Sequence, residues 1–485
     1  MSVDVLSRGA RGGGVIIAGQ FVKLAIQMTG VVVLSRLLAP ADFGLVAMVA
    51  VFLAFGSLLR DFGMPAAALQ AKQLSDQQAA NFFWASTALG AGAAILLAAA
   101  SPLLVSVYGE PRLAVVAPLM ATTLLLEGLQ AQVQVQLARA LRYGALAVSD
   151  VVAQGGGLAV AVGAALAGWG YWAVVIQPIT AAVLLLLVRA GQARWIPQRP
   201  RRGHGSKALF RIGGDIGLAQ TLAFAANNVD TFAIGILLGP TQLGIYNRAF
   251  QVYAIPRTGM LDPLTQVVLP TLNQATASGE RSASDLLLRL QFALSAALTF
   301  VFLIIATTAD WLIPLLLGNQ WQLAVLPLQL LAFGGFFASF GTVSYWVFLI
   351  EGKSRHLLYL HLVTKPMMVA LVLAGLPFGI VGVALGYAVA QALAWPMNLA
   401  WLSRVTGQDS WAFFRSGLRT VLAAGFAFVA ARGALLLVDL PGNLLPTFLG
   451  AAVALVVYAG SLIAVPGGVR EVSGALRAAR ALVRR

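Results

Sequence analysis

The chain of 485 residues has no cysteine, three histidines and only 17 acidic residues. Without thiols there is no disulfide framework, thiolate nucleophile or cysteine-ligated zinc. The histidines, His204, His356 and His361, are scattered, so no metal site is expected. Charged residues make up 10% of the chain, whereas an average soluble protein carries about a quarter. No soluble catalytic domain fits this composition, and no catalytic residue or cofactor is expected.

What the chain has in abundance is apolar surface, with 59% hydrophobic residues and a mean hydropathy of +0.86. At about 20 apolar residues per crossing, this describes an all-α polytopic membrane protein with short connections. The 32 basic residues leave a net charge of +15, which in a soluble protein would suggest nucleic acid. In a membrane protein basic residues gather in cytoplasmic loops because they resist translocation, so no nucleic-acid partner is expected. The polar start, Met1 to Gly14, runs into an apolar segment holding Gln20, Lys23 and Gln27. That segment exceeds the apolar region of a signal peptide and reads as a retained first span.

Apolar runs separated by charges or Gly/Pro turns give about 14 transmembrane helices, starting near 13, 42, 79, 113, 149, 170, 209, 243, 286, 323, 356, 379, 417 and 446. With a cytoplasmic N-terminus, the inside segments hold Arg8, Arg11, Lys72, Arg139, Arg142, the run Arg189 to Arg211, Arg281, Arg289, Lys353, Arg355, Arg404, Arg415, Arg419 and the C-terminal arginines. The outside loops hold only Arg36 and Arg112. This split follows the positive-inside rule and puts both termini in the cytoplasm.

The polar stretch Arg189 to Lys207 divides the chain nearly in half and reads as a solvated cytoplasmic linker. A repeat supports the division: Leu37-Leu38-Ala39-Pro40-Ala41-Asp42-Phe43-Gly44-Leu45 recurs as Leu237-Leu238-Gly239-Pro240-Thr241-Gln242-Leu243-Gly244-Ile245. Both copies fall at the outward hairpin joining the first two spans of a half, the pattern of a parallel repeat. The expected organisation is two pseudo-symmetric six-helix lobes, 1–190 and 209–403, joined by a basic linker, 191–208. Two C-terminal helices follow in 404–466. In the tail, 467–485, Val472, Leu476, Ala479 and Val483 share a helical face flanked by arginines, which predicts an amphipathic helix on the inner leaflet.

Four segments carry a family likeness: LSRLLAPADFGLVAMVAVF at 34–52, RDFGMPAAALQ at 60–70, LARALRYGALAVSDV at 137–151 and IYNRAFQVYAIPRTGMLDPLTQVVLPTL at 245–272. The chain resembles the polysaccharide and lipid-linked oligosaccharide flippases of the multidrug/oligosaccharidyl-lipid/polysaccharide superfamily, in the branch of colanic-acid and teichuronic-acid exporters. The resemblance covers roughly the first 400 residues and is most specific at Tyr246-Asn247-Arg248 and the Leu-Leu-x-Pro hairpins. It implies two lobes alternating between inward-open and outward-open states. The implied substrate is a polyprenyl-diphosphate-linked oligosaccharide, an exopolysaccharide or O-antigen repeat unit, carried from the cytoplasmic to the periplasmic or outer leaflet of the cell inner membrane. Other polysaccharide assembly proteins are candidate partners.

Ionisable groups within spans are costly unless they face water or a partner, which makes them site candidates. Lys23, Arg257 and Lys365 lie about 14 to 21 Å into their helices at 1.5 Å per residue, so three cations are expected near mid-membrane, where an anionic diphosphate must pass. Snorkelling or structural pairing is the other reading of each. Arg248 reads as a cavity or gate residue, or as an interfacial helix-end arginine. Gln27 accompanies Lys23, and Gln130 and Gln134 share a face that lines a sugar passage or joins helices. Asn227, Asn228 and Asp230 form a polar break in the seventh span, where the helix is expected to unwind, with substrate or ion contact as one reading. Arg60 and Asp61 are adjacent on a helix and point about 100° apart, so Asp61 is expected to pair across helices, as an inward gate or as static packing. Asp61, Glu127 and Asp230 are the candidates for coupling to protons or sodium. Tyr246, Tyr253 and Tyr345 are the rings placed to stack on sugars, with core packing as the competing account.

Two further functions compete with a flippase. Multidrug efflux would favour buried carboxylates over buried cations, the reverse of this inventory. A membrane glycan polymerase or ligase would need a large periplasmic loop, and the longest outward stretches are roughly 101–112 and 438–446.

Overall fold

The computed structural model describes residues 3–61, 68, 74–193, 195–200, 228–277, 280–351, 353–438, 441–464 and 468. Among them there is no β-strand, as the apolar runs require: in hydrocarbon a helix satisfies its backbone polar groups internally. Contacts divide the chain into two compact units, Met1–Gly244 and Ile245–Arg485.

In the first unit the helices are α1 (Val3–Leu37), α2 (Pro40–Asp61), α3 (Asp76–Ala99), the short α4 (Ser101–Tyr108), α5 (Leu113–Arg139), α6 (Tyr143–Leu166) and α7 (Tyr171–Ala193). Ser75 starts α3 with a reciprocal cap: its hydroxyl accepts from the Gln78 amide at 3.2 Å, and its own amide donates to the Gln78 side chain at 3.0 Å. Helix α3 packs on α5, α6 on α7, and α1 on α6. The first contact is close because small residues face it: a Cβ on Gly128 would lie 2.7 Å from the Ser86 carbonyl oxygen.

Helix α8 (Val229–Ala277) spans the division between the units and bends at Gly239, whose φ of 79° is open to glycine without cost. This bend is the second copy of the repeated hairpin. In the first copy α1 ends at Leu37, α2 opens at Pro40, and the Asp42 carboxylate accepts from the Ala39 amide at 3.0 Å. The copies also touch. A Cβ on Gly44 would strike the Pro240 carbonyl, and one on Gly244 would strike the Pro40 carbonyl. The exchange is reciprocal, as two equivalent copies of one motif require.

The second unit continues with α9 (Glu280–Leu316), a 3₁₀ turn at Asn319–Ala324, α10 (Val325–Ile350), α11 (Ser354–Gly375), α12 (Gly379–Thr406), α13 (Ser410–Leu437) and α14 (Leu444–Ala464). Helix α12 packs on both α10 and α11, while α9 packs on α10, α13 and α14.

Among the described residues, 11 stretches are long and apolar enough to cross a membrane, and the one at Arg355–Thr406 contains both α11 and α12. The chain is therefore a multi-span helical membrane protein. The expected seventh span, from about 209, and the tail helix in 467–485 fall outside the described residues, as does Asn227.

One expectation about the first unit is corrected. Arg189 belongs to α7, not to a solvated linker, and is 4% exposed. The start of the linker is also held: the Gln77 side chain donates to the Arg199 carbonyl at 2.9 Å and the Trp84 indole to the Gln198 carbonyl at 2.8 Å. An extended segment has carbonyls free to accept, and the donors at the start of α3 reach them.

Candidate functional site

The second unit encloses a cavity of about 330 Å³ between α8, α10, α11 and α12. Arg257 enters it from α8 and Lys365 from α11, so two of the three cations singled out by depth meet there. Around them stand neutral hydrogen-bonding groups, among them Thr265, Tyr345, Thr364, Gln391 and Asn398, together with His361. Among the described residues lining the cavity none is acidic. Two like charges sharing one partly buried space repel, and an anion between them converts that repulsion into attraction.

The surrounding packing sets this geometry. Tyr253, one turn before Arg257, is fully buried, stacks on Phe302 and shares a 3.2 Å hydroxyl contact with Tyr387 of α12. That anchor fixes the arm of α8 carrying the guanidinium. The Trp346 indole donates to the Thr265 hydroxyl at 3.2 Å and holds it at the cavity wall. Prolines sit within two residues of three polar lining groups: Pro256 beside Arg257, Pro366 beside Lys365 and Pro396 near Asn398. Each lacks the backbone N–H that would hydrogen-bond inside its helix at the level of the cavity.

Of the three tyrosines, Tyr345 alone faces this cavity, with 39% exposure. Tyr246 and Tyr253 are 1% and 0% exposed and belong to the core with Phe250. Arg248 is half-buried and donates to the Gln251 side chain at 2.5 Å, one turn along its own helix.

The other candidates lie in the first unit. Lys23 is half-buried and Gln27 exposed on α1. Arg60 is 7% exposed and joins two carboxylates: its Nε donates to Asp61 Oδ1 at 2.8 Å and its Nη1 to Glu127 of α5. The Ser57 hydroxyl also donates to Glu127, at 3.2 Å. Adjacency on the helix therefore does not keep Arg60 and Asp61 apart, because the long arginine stem carries its guanidinium across the 100° between them. The cross-helix partner of Arg60 is Glu127, and Asp61 pairs with its own neighbour.

Gln130 and Gln134 serve a third group. Arg189 donates through Nη1 to both, at 2.9 Å for Gln134, through Nη2 to Asp150 at 2.6 Å and through Nε to the Ser149 hydroxyl at 3.2 Å. Between the two readings of these glutamines, the hydrogen bonds match helix joining. Asn228 forms the turn before α8, and the buried Asp230 accepts from the Thr231 amide at 2.8 Å in its first turn. The polar break is thus a helix start, where a carboxylate suits the positive end of the helix.

Several groups escaped the sequence reading. Gln391 and Asn398 sit in an apolar run where one polar residue per two turns carries no pattern. Asp310 of α9 accepts from Arg432 of α13 and, at 3.2 Å, from Gln329 of α10, while Arg432 stacks 5.6 Å over the Trp311 ring. Partners this far apart in sequence leave no local signal.

The profile of a family described as "Polysaccharide biosynthesis protein" matches residues 33–326. The chain is 24% identical over 307 residues to the succinoglycan biosynthesis transport protein ExoT of Rhizobium meliloti (strain 1021), covering 63% of this chain and 62% of that protein. It is 23% identical over 301 residues to the teichuronic acid biosynthesis protein TuaB of Bacillus subtilis (strain 168), covering 58% of each. The chain thus spans less than two thirds of the length of either relative. In fold it matches the inward closed conformation of the lipid II flippase MurJ with a TM-score of 0.71 at 11% identity, covering 92% of this chain and 97% of that one.

Proposed function

The chain belongs to the polysaccharide biosynthesis protein family, and from that premise we propose that it is a flippase for a polyprenyl-diphosphate-linked oligosaccharide. It moves an exopolysaccharide or O-antigen repeat unit from the cytoplasmic to the periplasmic or outer leaflet by alternating access. The observation that carries this reading is the basic cavity of the second unit, where Arg257 and Lys365 converge among neutral donors and acceptors without a lining carboxylate among the described residues. Guanidinium and ammonium groups bind phosphate oxygens and lower the cost of bringing a diphosphate into the membrane. Amide and hydroxyl groups beside them form exchangeable hydrogen bonds with sugar hydroxyls, and Tyr345 offers a ring face. Among the described residues of these walls a cationic drug would find no counter-charge.

The proposed organisation is fourteen spans in two six-helix lobes, 1–190 and 209–403, with the linker, the last two helices and the basic tail as the sequence lays them out. Both termini lie in the cytoplasm, and the inner membrane is the site of action. Transport is coupled to a proton or sodium gradient through Asp61 and Glu127, with Asp230 as a further candidate. Lys23, Gln27, Arg248, Asn227 and Asn228 are the further candidates for substrate contact.

The test is transfer of a labelled polyprenyl-diphosphate oligosaccharide across proteoliposomes. Replacing Arg257 or Lys365 with alanine removes a charge-assisted contact to phosphate, a loss of roughly tenfold or more in transfer rate. Undiminished transfer by both folded variants would remove the cavity from the mechanism, and no transfer by the wild-type protein under any gradient would overturn the flippase reading itself.

A further inference from the structure

A second basic recess lies in the same unit, between α9 and α13, and shares no lining residue with the cavity of Arg257 and Lys365. It measures about 270 Å³. Arg289 enters it from α9, while Arg415 and Arg419, one helical turn apart on one face, enter it from α13. The Ser416 hydroxyl stands beside them, and Leu288 and Phe292 supply an apolar wall. Among the described residues, no carboxylate is paired with Arg289 or Arg415, both of which are exposed.

The depth of this recess is set independently of its charge. In the sequence the apolar run of α9 follows Asp285, so Arg289 lies about one turn into it. Helix α13 begins at Ser410, and its second residue, Trp411, is 59% exposed and stacked on Phe414. An exposed tryptophan at the start of an apolar helix marks the boundary between headgroups and hydrocarbon. The three guanidiniums therefore open at headgroup level with an apolar wall against the acyl region. On the proposed topology they lie on the side of the membrane where the basic loops accumulate.

We propose that this recess is a binding site for the phosphate of an anionic phospholipid, separate from the transport cavity. Three arginines from two helices offer forked donors to a phosphodiester, and a basic pocket between transmembrane helices is the usual form of such a site. The lipid bridges α9 and α13, tying the last two helices to the rest of the second unit through a headgroup that offsets the repulsion between Arg289 and Arg415. Its acyl chains run along the apolar wall.

Titration of the purified full-length chain in detergent, with bound lipid counted by native mass spectrometry, tests this. The probes are phosphatidylglycerol, cardiolipin, phosphatidylcholine and inorganic phosphate. The two anionic lipids are expected to bind and phosphatidylcholine is not. Each arginine removed costs about fivefold in affinity, so the double variant Arg289→Gln/Arg415→Gln binds roughly 25-fold more weakly. The double variant Arg477→Gln/Arg480→Gln, with the same change of net charge in the tail, is expected to keep wild-type affinity. If the first double variant fails to fold, Arg415→Gln alone carries the fivefold expectation. Equal weakening in both double variants would mean attraction to net charge and would overturn the site. Displacement of the lipid by equimolar inorganic phosphate would assign the recess to a soluble anion and overturn the lipid.

Discussion

Arg189, with 4% exposure, is held by Asp150, Gln130, Gln134 and Ser149, and its stability depends on the one carboxylate among them. Removing one partner of a buried pair leaves an uncompensated charge, which costs about 3 kcal/mol, whereas replacing the charged residue itself costs less. Asp150→Asn is therefore expected to lower the thermal unfolding temperature more than Arg189→Met does. Outside the membrane spans, Glu110 lies below the usual carboxylate value of 4.5, because Arg112 donates two hydrogen bonds to it at 2.8 and 2.9 Å. A depressed carboxyl contributes stability in full above pH 4.5 and loses it as the pH falls through the folded value. Glu110→Gln is expected to lower stability slightly in the neutral region and to leave it unchanged below the folded value, which flattens the acid limb of a stability-versus-pH curve. The residues themselves were visible in the sequence as intramembrane or loop charges, but their partners were not. Glu127 and Arg60 are 67 positions apart, and Arg189 and Gln130 are 59 apart.

Among the helices, the paired hairpins are the most constrained element. Gly44 and Gly244 each face the proline carbonyl of the other copy, so adding a methyl group forces the two backbones apart. Gly44→Ala should cost about 1–3 kcal/mol by overpacking. Gly163→Ala in α6, where an added Cβ meets nothing within 4 Å, should be neutral or stabilising by up to about 1 kcal/mol. Thermal unfolding of the two variants side by side separates steric contact from helix propensity, and equal midpoints would remove the hairpin contact from the account. The repeat was legible because Pro and Gly recur at matching positions. Its reciprocal packing was not, since a sequence offset carries no information about which faces meet.

For the whole molecule, orientation and energy coupling are the quantities to measure. The absence of cysteine makes the chain its own labelling background. With both termini in the cytoplasm, Trp169→Cys should react with an impermeant maleimide from the periplasmic side and Gln408→Cys only after the membrane is opened. The reverse pattern would invert the topology. If the carboxylates around Arg60 carry the coupling ion, Glu127→Gln should leave transfer active but insensitive to an imposed proton or sodium gradient. Gradient dependence equal to that of the wild-type protein would reduce the cluster to helix packing.

Composition and periodicity by themselves determined that this is a helical, multi-span membrane protein with an internal repeat, because burial in hydrocarbon demands long apolar runs and leaves few places for charge. They also picked out Arg257 and Lys365, since a charge deep in such a run stands out without knowledge of its neighbours. Only the tertiary structure decided which charges share a space. Arg257 and Lys365, 108 positions apart, line one cavity, while Gln130 and Gln134 turn to Arg189. Gln391, Asn398, Asp310 and Arg432 acquire their surroundings from helices remote in sequence. A helix's own sequence sets its polar face, and the packing of other helices selects what that face meets.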